Sequence, residues 1–161
     1  MNKVPTVIIS VFGRHELTKK SLVSLLNSGS KFRLVVVDNG SGGETIDVLM
    51  DCRESIDVLL LSSENRGKPW AWNVGVSVTE QKCKVLGQEP SEFYVFCDND
   101  IEYTIGWLEE EVRIFEELER MGYKMGILSG MDLKGTKFIE SLMMKFKREV
   151  KMVRYPPVGN T

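Results

Sequence analysis

Histidine and cysteine are scarce in this chain of 161 residues: one histidine, His15, and three cysteines, Cys52, Cys83 and Cys97. The cysteines are odd in number and show no CxxC spacing. A zinc site and a disulfide framework are therefore not expected, and the thiols read as reduced, as in an intracellular protein. No apolar run approaches the ~18 residues a membrane-spanning helix needs. The first residues run straight into a strand-like segment, so no signal peptide is expected and the expected location is cytoplasmic. There is no internal repeat and no low-complexity tract. With 42% hydrophobic and 27% charged residues, the composition excludes a disordered chain. The length suits a single domain over 1–161, large enough to bury about 70% of its unfolded surface without staples.

Charge of one sign is also missing overall, the net being −2, but its distribution is uneven. Between Lys134 and Arg154 stand seven basic residues against Glu140 and Glu149, a surplus of five positive charges, while the rest carries 14 basic and 21 acidic residues. A single basic segment in no known motif does not make a nucleic-acid interface. Its plain reading is a solvated face. The alternative is weak contact of 134–154 with an anionic membrane surface, which would make the protein membrane-peripheral.

The pattern of elements is α/β. Pro5 to Phe12 is a continuous β-branched apolar run and reads as a buried parallel strand. Leu17 to Ser28 places Leu22, Leu25 and Leu26 on one helical face, with Gly29 at its stop. Arg33 to Asp38 and Asp57 to Ser62 read as further strands, separated by a helix over Glu44 to Arg53. A helix over Trp70 to Glu80 opens at Pro69, which suits a first turn. Phe93 to Asp98 is a fourth strand. An acidic helix follows from Trp107 towards Gly122, its stripe made by Leu108, Val112, Phe115 and Leu118. Lys124 to Ser129 is a fifth strand, Thr136 to Arg148 has a mixed helical pattern (Phe138, Leu142, Phe146), and Val153 to Pro157 reads as extended. Strands alternating with helices give a mostly parallel sheet whose strand ends share one rim, where such sheets bind ligands.

Three segments of that rim carry chemistry. Asp98 and Asp100 flank Asn99 just beyond the fourth strand. In extended geometry their carboxylates point the same way, and Mg²⁺ or Mn²⁺ sharing phosphate oxygens is a natural compensation for their repulsion. A solvated Asx turn is the bland alternative. Asp38 and Asn39 end the second strand before a glycine-rich turn, where an amide can both accept from and donate to a base, or simply shape the turn. In Asn65 to Gly75, Gly67 allows close approach of a ligand, and Lys68 offers a point charge beside a helix N-terminus. Trp70 and Trp72 read first as core, with a rim or sugar platform as the alternative.

Taken together and in order, these segments resemble the nucleotide-binding half of the GT-A glycosyltransferases, family 2 in particular. Ser10 to Arg14 fills the family's polar turn after strand one. Val37 to Ser41 is similar to its Val-Asp-Asp/Asn-Gly-Ser signature. Asn65, Gly67, Ala71, Asn73 and Gly75 match its Asn-x-Gly-x-x-x-Ala-x-Asn-x-Gly segment. Asp98 and Asp100 match its DxD, and Gly106 to Glu109 its Gly-Trp-Leu-Glu. The resemblance covers about residues 4–130 and implies a Rossmann-like GT-A domain that binds a nucleoside-diphosphate sugar. By carry-over, Ser10, Phe12 and Asn39 line the base, with Asp38, Asn65, Gly67, Asn73 and Asn99 around the donor. Asp98 touches ribose or metal, Asp100 holds Mn²⁺ or Mg²⁺ on the diphosphate, and Arg14 and Lys68 are candidate phosphate partners. The reaction implied is sugar transfer to an acceptor hydroxyl with inversion, the cation stabilising the leaving diphosphate.

Two departures matter. The family's general base lies well downstream of DxD in an acceptor-binding half. Here Asp132 and Glu140 sit in no matching motif, so the base is expected outside this chain, and the chain is expected to be either an incomplete piece of an enzyme or a stand-alone donor-binding module. Asn39 replaces a frequent Asp, which leaves UDP-, TDP- and GDP-linked donors open. The acceptor, whether glycan, lipid-linked or protein, and the oligomeric state are not legible. A receiver domain would want an aspartate where Ser62 and Ser63 stand, and a nucleotidyltransferase a glycine-rich loop where Ser10 to Arg14 has one glycine.

Overall fold

The computed structural model describes residues 4–123 and the strand segments 127–129 and 142–145. The elements run β1 (Thr6–Val11), α1 (His15–Leu26), β2 (Arg33–Asp38), α2 (Gly43–Asp51), a 3₁₀ turn (Arg53–Ser55), β3 (Val58–Leu61), α3 (Lys68–Val85), β4 (Phe93–Asp98), α4 (Trp107–Arg120), β5 (Ile127–Ser129) and β6 (Leu142–Lys145). They form one sheet in the order β3-β2-β1-β4-β6-β5. β1 to β4 are mutually parallel through three adjacent pairings, and β6 is antiparallel to both β4 and β5.

β1, β2 and β4 are buried along nearly their whole length because helices cover both faces. On one face Val7, Ile9, Leu34, Val36, Phe93 and Val95 pack with Leu22 and Leu25 of α1, Leu49 of α2, and Leu108, Val112 and Phe115 of α4. On the other, Ile8, Val35, Val37, Tyr94 and Phe96 meet Ala71 of α3, flanked by Trp70 and Trp72. Alternation along each strand thus sorts its residues between the two layers. α3 lies very close to β1: a Cβ on Gly75 would come within 2.7 Å of Ile8 Cγ2.

One expectation is overturned. Leu142 belongs to a strand: Leu142–Lys145 pairs antiparallel with Phe93–Phe96 and occupies the edge of β4. The spacing of Phe138, Leu142 and Phe146 suggests a helix turn, but the open hydrogen-bonding edge of β4 is a partner no local pattern announces. The remainder of the 136–148 reading, the extended reading of Val153 to Pro157, Asp132, Glu140 and the course of the basic stretch 134–154 lie outside the described residues. Among the described residues no helix is long and apolar enough to cross a membrane.

Candidate functional site

The register sets the rim. Ser10 stands opposite Val37 on one side and Asp98 on the other, and Val11 opposite Asp38. The polar ends of β1, β2 and β4 therefore finish level. A hollow of about 160 Å³ lined by Arg33, Asp57, Val58, Thr79, Lys82 and Cys83 lies where β2 and β3 begin, at the opposite end of the sheet.

Asp38 is buried, 1% exposed. Its Oδ2 accepts from the backbone N–H of Gly40 (3.3 Å) and Ser41 (3.1 Å). Its Oδ1 has no hydrogen-bond donor among the described residues. A buried carboxylate oxygen left bare is costly, which makes it a position that a ligand N–H would satisfy. Asn39 is bonded within the protein at both ends of its amide. Its Oδ1 accepts from the Arg66 N–H at 2.9 Å, and its Nδ2 donates to Asn65 Oδ1 at 2.9 Å. Asn65 Oδ1 accepts from the Gly67 N–H as well, at 2.9 Å. The amide expected to read a base also clamps the loop after β2 to the loop after β3. The clamp is tight: Gly40, at φ 88°, has no room for a Cβ, which would come 2.6 Å from the carbonyl carbon of Glu64.

The acidic pair is met by two cations from two sides. Lys68, the first residue of α3, reaches Asp98 Oδ2 with its Nζ at 2.6 Å. Arg14, in the turn after β1, reaches Asp100 Oδ2 with Nη1 at 2.5 Å. Arg14 holds a left-handed backbone at φ 56°, among the described residues the one non-glycine with positive φ. Such conformations persist where surroundings over-determine them, and here the surroundings are visible. Asn99 turns inward and donates from Nδ2 to Gly13 O (3.1 Å) and Thr18 Oγ1 (2.7 Å). Gly13 N–H donates to Ser41 Oγ at 2.8 Å. Ser41 and Thr18, which sequence reasoning did not single out as site residues, thus tie three rim loops into one frame. The serine of the glycine-rich turn was the available signal for the first; nothing local marks the second.

The other expected residues are placed as follows. Ser10 is buried at the rim, and Phe12, just past the end of β1, is 53% exposed. Gly67 caps α3 at φ 85°, and Asn73 lies on the exposed side of that helix. Trp72 packs on Phe96 with ring centroids 5.2 Å apart, and its outer face carries Lys68 Nζ at 5.6 Å; Arg66 sits 5.1 Å from the ring of Trp70. Both tryptophans are half-buried supports of the basic loop. Behind the rim, burial pushes the Cys97 thiol up to about 12 and raises the Tyr103 hydroxyl, so both stay protonated.

Two carboxylates suit a hard divalent cation, and each of the two is paired with a cationic side chain, Lys68 or Arg14. Among the described residues no group of three or more ligating side chains gathers. Mg²⁺ and Mn²⁺ fit such a sparse set when phosphate oxygens complete it.

The family model for glycosyl transferase family 2 matches residues 6–157. The chain belongs to that family. Among solved structures, the family 2 chain resembles the mannosyltransferase PcManGT from Pyrobaculum calidifontis in complex with GDP-Man and Mn²⁺, at 18% identity and TM-score 0.69, over 90% of this chain and 45% of that one. It also resembles S. aureus TarS 1-349 in complex with UDP, at 17% identity and TM-score 0.61, over 88% of this chain and 46% of that one. Another TarS structure gives 20% identity and TM-score 0.62, over 83% and 23%. These likenesses establish the GT-A fold, and this chain spans less than half the length of each. No curated protein matches the chain.

Proposed function

We propose that the rim binds a nucleoside-diphosphate sugar and that the protein is a metal-dependent glycosyltransferase acting with inversion. One juxtaposition carries the reading: a buried carboxylate oxygen awaiting an N–H, Asp38 Oδ1, stands at the same rim as two carboxylate–cation pairs, Asp98–Lys68 and Asp100–Arg14. Base and diphosphate, two parts of such a donor, call for those two chemistries.

In this reading Asp38 accepts the ring N–H of uracil, thymine or guanine, and Phe12 offers its exposed ring to the base. Lys68 and Arg14 take phosphate oxygens through charge-assisted hydrogen bonds. Asp98 and Asp100 hold Mg²⁺ or Mn²⁺, which supplies charge stabilisation to the departing diphosphate. The base that deprotonates the acceptor hydroxyl comes from outside residues 4–123. A glycan, a lipid-linked sugar or a protein side chain is the acceptor class.

The test is a thermal-shift and calorimetric panel of UDP, TDP, GDP and CDP with Mn²⁺, followed by donor-sugar hydrolysis. Cytosine presents a lone pair at N3 where the other bases present N–H. CDP should therefore bind at least about tenfold more weakly, since an unmatched buried polar contact costs about 1–3 kcal/mol. No shift with any nucleotide would overturn the donor site. The second reading is a donor-binding module. Slow hydrolysis abolished by Asp100→Ala marks an enzyme; tight binding without turnover marks the module.

A further inference from the structure

We propose that Lys68 and Arg14 are exchangeable counter-charges: in the ligand-free protein they neutralise Asp98 and Asp100 and oppose metal binding, and a nucleoside diphosphate draws them onto its phosphates and so opens the acidic pair to a divalent cation. The inference rests on the donor reading above and adds to it the coupling between metal and nucleotide.

Anchored acids and long, partly exposed bases make the exchange possible. The acidic pair brackets Asn99, whose amide is bonded to Gly13 O and Thr18 Oγ1, so the backbone that carries both carboxylates is anchored. Their side chains are 20% and 35% exposed. The partners are the opposite. Lys68 and Arg14 are long side chains, 40% and 62% exposed, arriving from α3 and from the turn after β1. Swinging either head group by a few ångströms breaks no element.

Charge then decides the order of events. With one cation on each carboxylate the acidic pair is compensated. A divalent ion arriving alone must displace an ammonium or a guanidinium and leave surplus positive charge behind, and the described residues supply no third ligating side chain to offset that cost. A diphosphate brings negative charge, phosphate oxygens for the ion, and new acceptors for both displaced cations. Metal and nucleotide therefore bind with positive coupling, and the coupling is reciprocal.

The experiment is a titration of free Mn²⁺ by electron paramagnetic resonance on the full chain, without nucleotide and with saturating UDP or GDP. It compares the parent with Lys68→Met and Arg14→Met, which keep the stems and remove the charges, and with Lys68→Arg, which keeps the charge. Circular dichroism melts report folding. The parent should bind Mn²⁺ at least about tenfold more tightly with nucleotide than without. Each methionine variant should bind Mn²⁺ alone about three- to tenfold more tightly than the parent, the range a lost ion pair at a half-exposed to half-buried site allows. The same variants should bind nucleotide in Mn²⁺ more weakly, so that the coupling factor falls at least about tenfold, and Lys68→Arg should retain the positive sign of the coupling. Folded methionine variants whose affinity for Mn²⁺ alone is unchanged or weaker, in a parent that binds nucleotide, would overturn the exchange and leave the donor reading standing. A parent that binds neither nucleotide overturns both.

Discussion

Asp38 illustrates how much one side chain can fix. Its two carboxylate oxygens are not equivalent: Oδ2 is held by two backbone N–H groups and Oδ1 by none among the described residues. An amide placed there has no choice of orientation. The backbone N–H groups require its oxygen, so Asp38→Asn must present NH₂ where Oδ1 was. That group clashes with a ring N–H and suits the bare N3 of cytosine. Asp38→Asn is expected to lose about tenfold or more of UDP affinity and to gain CDP binding, given about 1–3 kcal/mol for a mismatched buried polar pair. Calorimetry with both nucleotides checks it; a variant that weakens UDP and CDP alike would make Asp38 a merely structural residue. The neighbouring Asn39 shows the reverse case. The chemistry of its amide was legible, but its employment was not, because its partners Asn65 and Arg66 stand 26 and 27 residues away.

At the scale of elements, legibility followed the size of the buried side chains. β4 was expected over Phe93 to Asp98 and is observed there, since a run of large apolar residues has few other uses. α3 was expected over Trp70 to Glu80 and runs from Lys68 to Val85. Its buried face is Ala71, Gly75, Thr79 and Cys83, a four-residue spacing of small side chains that leaves little apolar periodicity to see. The same small residues let the helix settle onto β1, and they position Lys68 at the rim. Gly75→Ala forces a methyl against Ile8, a side chain with 0% exposure. Overpacking of this kind costs about 1–3 kcal/mol, and relief requires α3 to lift. A lower thermal midpoint is expected together with weaker nucleotide binding, read by melts and by calorimetry on the same sample. A midpoint equal to the parent's would mean that α3 does not need its close seat. α2 shows the ordinary error at ends: the expected helix to Arg53 stops at Asp51 and gives way to a 3₁₀ turn. β6 was invisible for a different reason, one of its two partners, β4, being about fifty residues upstream.

The whole molecule carries a pH liability that no single contact suggests. Burial drives three weak acids of the sheet and its helix layer in the same direction: the Cys97 thiol up to about 12, and the hydroxyls of Tyr94 and Tyr103 well above their usual range. Each must stay protonated in the fold. In the unfolded chain thiols release their protons near pH ~8.5 and tyrosines near ~10. A folded-state pKa above the unfolded one gives stability that is complete below the unfolded value and declines above it, so the fold loses stability as the pH rises from about 9 towards 12. The slope approaches about 1.4 kcal/mol per pH unit for each group that titrates in the unfolded state alone. Melts from pH 7 to 11 are expected to show a level midpoint up to about pH 8.5 and a steepening fall beyond it. Cys97→Ala should reduce the earliest part of that fall, to which the Cys52 thiol, also raised by burial, contributes as well, at the cost of a small cavity that lowers the midpoint at every pH alike. Were the parent's midpoint to stay level through pH 11, the three protons would not be held by the packing of β4 against its helices, and the rim built on that strand would lack the rigid floor on which the fixed carboxylates depend.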